Sequence, residues 1–201
     1  MGKKLNDILI LSAKFMIRHW LAIFTLMVML YILPIIGSPY LISSGNPVLV
    51  NIGKIMFLAY KVTCHQLPER SLFIFGHQMT VCARCFGIYV SFLAGCIIFA
   101  FVRRWLKIWS MKYYIILCIP MAIDGFSQLF GVPIPRGIGP HWELIWTTLS
   151  NNDLRIITGS IFGLASSLYA LPYLEEIFTS EDSQFTPPRS AQATPPGDMA
   201  K

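Results

Sequence analysis

Residues 86–102 read FGIYVSFLAGCIIFAFV. The run carries no charged residue and no proline. At 1.5 Å per residue it comes close to crossing a hydrocarbon layer of about 30 Å, and its flanks supply the rest. Downstream it stops at Arg103-Arg104-Trp105-Leu106-Lys107, with Lys112 just beyond. That is the densest basic cluster in the chain, and such clusters mark cytoplasmic loops. Upstream it begins directly after Cys82-Ala83-Arg84-Cys85. The run therefore reads as a membrane helix with a cytoplasmic exit and a thiol-bearing mouth.

Composition agrees. Hydrophobic residues make up 55% of the 201 and charged residues 13%; soluble domains carry roughly 25% charged residues. The fold class expected is all-α, a polytopic transmembrane helical bundle of about four spans. The net charge of +6 does not imply nucleic acid, because the lysines and arginines sit in short clusters beside apolar runs. The partner implied is the lipid bilayer.

Three further spans are expected. Trp20 to Ile36 is the first, ended by Pro34 and by Gly37-Ser38-Pro39. It reads as a retained helix rather than a cleaved signal. Tyr113 to Phe130 and Leu154 to Leu171 follow. Residues 48–62 are apolar but short and carry Lys54 near their centre, so they read as a helix that packs on the bundle or lies at the interface. Gly159 and Gly163, at i,i+4, permit close helix contact. The domain organisation is then a basic amphipathic leader at 1–18, a transmembrane domain at 19–174 and a disordered Pro/Ser/Thr-rich tail at 175–201. With four spans, both termini and the Arg103–Lys107 loop face the cytoplasm of a cell membrane. The mouth before Phe86 then faces outward.

The chemistry concentrates in residues 63–89. Cys82 and Cys85, two residues apart, can turn both sulfurs toward one point, and Cys64-His65 lies upstream at a spacing like that between the halves of a zinc ribbon. The candidate metal ligands are Cys64, His65, Cys82 and Cys85, with His77 as the alternative histidine, for zinc or iron. The same pair also suits thiol–disulfide exchange, with a membrane quinone as electron acceptor. A non-enzymatic transport or assembly role is the third reading. Arg84, between the two thiols, is expected to favour thiolate in either role. Cys96, inside the apolar run, and Cys118 read as small buried hydrophobes.

Polar groups from other helices are expected at the same mouth. Asp124 and Gln128 share a helix face, and Asn152 and Arg155 stand at the entrance of the last span. Ionisable groups at such depth are costly and need partners, so Arg70, Arg84 and Arg155 are candidates to pair with Asp124. Arg70, Arg84, Asp124, Gln128, Asn152 and Arg155 would line a polar pocket for a small or lipid-like ligand, and Arg70 with Ser71 could bind a phosphate or carboxylate from a lipid headgroup or substrate. The candidates for catalysis are Cys82, Cys85, Asp124 and Arg155.

Cys64-His65-Gln66-x-Pro68-x-Arg70-Ser71 and Cys82-Ala83-Arg84-Cys85-x-Gly87-Ile88-Tyr89 resemble the motifs of a prokaryotic membrane-protein family, domain of unknown function 2085. Asp124-x-x-x-Gln128 and Asn152-x-x-Arg155-x-x-Thr158-Gly159 are similar to its downstream motifs. The resemblance covers roughly residues 45–172. It implies a multi-pass membrane protein with these positions grouped as one site, and it implies no activity.

Overall fold

The computed structural model describes residues 2–130 and 151–185. Among the described residues there are six α-helices, with one β-hairpin between the third and fourth: α1 (Gly2–Arg18), α2 (Trp20–Ser43), α3 (Pro47–Ala59), α4 (Ala83–Val102), α5 (Met111–Leu129) and α6 (Asn151–Phe185). Three of them, α2, α4 and the Asn152–Ser180 part of α6, are long and apolar enough to cross a membrane by length and composition. Helix α5 is not among those three; it has 19 residues and carries Lys112, Pro120 and Asp124. It packs along α6, where Tyr114 stacks on Tyr169 and shares a hydrogen bond with Ser166 at 3.1 Å.

The bundle is built on α4 and α6, which run parallel in close contact. Small residues recur every fourth position on both: Gly87, Ser91 and Gly95 face Gly159, Gly163 and Ser167. A Cβ added at Gly87 would lie 2.6 Å from the Ile156 carbonyl oxygen, and one at Gly159 would lie 2.5 Å from that of Arg84. In a membrane no hydrophobic drive pushes helices together, so backbone approach of this kind is what binds them.

Helix α2 does not end where its prolines predict. It continues through Pro34 and Pro39 to Ser43. Carbonyls displaced by a proline are tolerated in an apolar helix when neighbours take them up. The Tyr31 carbonyl, one turn before Pro34, accepts the Tyr60 hydroxyl. The Ser38 hydroxyl donates to the Gly53 carbonyl at 2.8 Å, fixing α3 against α2. Helix α3 is thus a short packed element of 13 residues, as its sequence indicates. Asn46 caps its first turn by accepting from Val48 N–H at 2.9 Å, and Pro47 stands at the first helical position.

Two apolar cores sit at opposite ends. One holds Trp20, Leu21, Cys96, Phe99 and Leu171; the other holds Ile35, Tyr60, Cys64, Met79 and Val81. At the first end Trp20 Nε1 donates to Glu175 at 3.0 Å and Arg103 lies 3.8 Å from the same carboxylate. The start of α2 and the basic loop after α4 therefore share one end of the bundle. Helix α6 runs past Glu175 to Phe185, so the segment read as a disordered tail begins with helix. Its anchor is Phe178, stacked on Trp20 at 5.0 Å. Residues 186–201 lie outside the described residues.

The second end holds a feature the all-α expectation lacks. Strand β1 (Ser71–Ile74) pairs antiparallel with β2 (His77–Cys82), with Ser71 opposite Cys82. The turn between them, Phe75-Gly76, has positive φ at both residues, 52° and 76°. That geometry matches the right-handed twist of a tight hairpin.

A three-thiol cavity with three arginines

The hairpin decides where the cysteines lie. It returns the chain so that Cys82, at the end of β2, becomes the residue before α4, and Cys85 follows on the first turn of that helix. Cys64 comes from the turn after α3. The Sγ atoms of Cys64, Cys82 and Cys85 all lie within 4.8 Å of one another. The Cys82 amide points at Cys64 Sγ, 3.2 Å away.

Gln66 holds that turn in place. Its φ is +52°, a conformation that costs a non-glycine residue on the order of 1 kcal/mol. Surrounding bonds over-determine it: Gln66 Nε2 donates to the carbonyls of Phe57 (2.7 Å) and Thr80 (2.6 Å), and its own carbonyl accepts from Gln78 Nε2 at 2.7 Å. Gln78 also donates to the Ser71 hydroxyl at 3.0 Å. The network ties α3, the cysteine turn and both strands together.

Crowding shapes the acidity of the sulfurs. Hydrogen bonds from the Cys82 and Cys85 side chains, together with the Gln66 and Cys82 amides, hold the Cys64 thiol far below its ordinary range. Cys64 is thus the group poised to be thiolate. The cause differs from the one its sequence suggests: Arg84, expected to act on the thiols, is engaged by Asp124.

Asp124 is 3% exposed and forms an ion pair with Arg84, linking α5 to the start of α4. Thr158 on α6 brings its Oγ1 to 3.4 Å from the same carboxylate, while its hydroxyl donates to the Leu154 carbonyl at 2.9 Å. Arg155, 8% exposed, donates to Asn152 Oδ1 at 2.6 Å, and Asn152 Nδ2 reaches the Ser71 carbonyl at 3.4 Å. Asn152 therefore joins α6 to the hairpin. Gln128 lies on α5, and its side chain is outside the described residues.

These groups surround a cavity of about 320 Å³. The three cysteines line it, and so do His65, Arg70, Arg84 and Arg155. His65 is exposed at its rim and is not part of the three-sulfur cluster. His77 lies elsewhere, in a shallower pocket with Lys54 and Lys61. Asp124 and Asn152 stand behind the arginines and orient them. Sequence reasoning missed Gln66 and Gln78 as positioning residues, because isolated polar side chains carry no periodic signal; Ser71 it set beside Arg70 as an anion binder. Ser71 and Gln66 do fall inside the quoted Cys64–Ser71 motif, which was the available clue.

The cluster fits a metal. Tetrahedral zinc with Zn–S bonds near 2.3 Å places sulfurs about 3.8 Å apart, a small adjustment from the spacing here. An N–H bond onto a thiolate is the kind of support that outer groups give to metal ligands. Three protein sulfurs leave a fourth position, and the cavity is on hand to supply it.

The chain is similar to known sequences. A family profile described as "Predicted membrane protein (DUF2085)" matches residues 64–169, from the first cysteine to the heart of α6. An uncharacterised protein of Methanocaldococcus jannaschii is 44% identical over 124 residues, 61% of this chain and 70% of that protein. One from Methanothermobacter thermautotrophicus is 31% identical over 107 residues, 53% of this chain and 83% of its own length. No solved structure matches the chain. The chain belongs to the membrane-protein family of domain of unknown function 2085.

Proposed function

We propose that the protein is an integral membrane metalloprotein in which Cys64, Cys82 and Cys85 hold one zinc or ferrous ion as thiolates. The observation that carries this reading is the convergence of three sulfurs within 4.8 Å from two chain segments. Tetrahedral sulfur sites select these metals. Three protein ligands and an open position characterise catalytic rather than structural sites. A bound ion there would supply Lewis-acid chemistry to a ligand in the cavity. His65, at the rim, is placed to serve as fourth ligand or as a proton carrier to the solvent side.

The residues around the cluster have separable roles. Cys64, held toward thiolate by its neighbours, is a ready ligand. Arg84 and Asp124 fix the start of α4, and with it Cys85, against α5. Gln66 and Gln78 hold the turn that carries Cys64. Orientation follows from charge: the basic residues of α1 and of the Arg103–Lys107 loop lie at the end opposite the thiols, so the thiol end faces outward across the cell membrane and α5 makes the fourth crossing.

The test is metal content together with thiol counting on detergent-purified protein. About one metal per chain is expected, with Cys64, Cys82 and Cys85 unreactive to alkylation until a chelator is added. A metal-free protein in which Cys82 and Cys85 interconvert between thiol and disulfide on reductant treatment would replace this reading with thiol–disulfide exchange.

A further inference from the structure

The metal reading leaves the arginines unexplained. Arg70, Arg84 and Arg155 line one cavity, and among the described residues no carboxylate lines it with them. The charges of Arg70 and Arg84 both bear on Arg155. Like charges gathered around one small volume raise one another's energy. Asp124 offsets Arg84 from behind the wall. Arg70, exposed on the turn before β1, has no side-chain hydrogen bond or ion pair among the described residues.

Two buried polar atoms on the lining residues are also unmatched. Among the described residues Arg84 Nε has no hydrogen-bond acceptor and Gln66 Oε1 no donor, and both atoms are closed off from solvent. The Gln66 amide cannot simply be reversed, because its nitrogen already donates to two carbonyls. The lining is therefore rich in guanidinium donors.

We propose that this cavity binds a phosphate group, held by Arg70, Arg84 and Arg155 next to the three sulfurs. A carboxylate, with one charge and two oxygens, is satisfied by a single guanidinium fork; a phosphate monoester brings up to two charges and three terminal oxygens, matching several forks at once. At about 320 Å³ the cavity holds a phosphorylated small molecule or a lipid headgroup and little more. The placement of the phosphate at the open metal position rests on the metal-centre reading; the guanidinium site does not.

The experiment is calorimetric titration of the full-length, detergent-purified protein with inorganic phosphate, with metal content measured on the same samples. Saturable binding is expected for the wild type. Arg70→Gln, at an exposed position that breaks no internal bond, should weaken it about tenfold or more, ~1.4 kcal/mol, with metal content unchanged. Arg155→Lys keeps the charge but loses the fork, and should weaken it too. Absence of saturable binding in the wild type, or equal binding in Arg70→Gln, overturns the proposal. A protein that binds phosphate but carries no metal overturns the metal-centre reading and leaves the phosphate site standing. The source is separated by repeating the titration in phosphatidylcholine nanodiscs with and without phosphatidic acid. Competition assigns the site to a lipid headgroup, and an unchanged isotherm assigns it to a soluble phosphate.

Discussion

The two ends of the bundle use the same residue types in opposite ways. At the basic end Arg103 and Glu175 lie 3.8 Å apart with side chains 43% and 29% exposed. At the thiol end Arg84 and Asp124 pair with side chains 24% and 5% exposed. The first pair is solvated and screened, and such pairs contribute about 0–1 kcal/mol. The second is taken out of water and held by the helices that carry it. The difference teaches that charge alone does not mark a site in this chain. A site needs charge that has been taken out of water and aimed.

The largest contrast is expected for the cysteines. Cys82→Ser should remove nearly all bound metal, because two thiolates cannot hold what three hold. Cys118→Ser, on α5 away from the cluster, should leave metal content unchanged. Elemental analysis of the two purified variants checks both. Equal metal in both variants would break the contrast between the thiol end and the rest of the chain.

Charge comes next. Asp124→Asn leaves Arg84 partly buried without its counter-ion and should lower stability by about 2–4 kcal/mol, somewhat under the loss at a fully buried pair. Glu175→Gln at the other end should cost no more than about 1 kcal/mol. Thermal melts in one detergent give the comparison directly.

Packing gives a smaller effect. Gly87→Val forces side-chain atoms against the Ile156 backbone and should cost about 1–3 kcal/mol. Gly37→Ala, where nothing lies within 4 Å of the new Cβ, should be neutral or slightly stabilising through its helix propensity. The same melts rank the two.

The smallest effect at neutral pH concerns Tyr60. Burial, and secondarily Tyr31, raise its pKa from 10.0 to about 12. Its folded pKa lies above the unfolded one, so its contribution is fully present below pH 10 and is lost as pH rises from about 10 to 12. Tyr60→Phe should flatten the alkaline limb of a stability–pH curve over that window. An unaltered limb would separate Tyr60 from the alkaline transition.

Much of this was legible from residues alone. The apolar run at 86–102 announced a membrane helix, and Lys54 announced that 48–62 would be a packed element. Cys64, Cys82 and Cys85 announced a cluster. The hairpin was not legible, because Ser71–Cys82 mixes polar and apolar residues without a clean period and its turn is Phe75-Gly76 rather than a common turn pair. Nor was the partner of Asp124: Arg70, Arg84 and Arg155 are equivalent on paper, and only the packing of both α4 and α5 on α6 brings Arg84 to it. The extent of α2 was hidden because Pro34 and Pro39 break helices in water, where no Tyr60 or neighbouring α3 stands by.

The central claim is a three-sulfur metal centre at the thiol end. X-ray absorption at the metal edge of the purified protein tests it most directly. The account predicts three sulfur neighbours at about 2.3 Å and one lighter neighbour, oxygen or nitrogen. A spectrum with only oxygen or nitrogen neighbours, or a sample with no metal to measure, would contradict it.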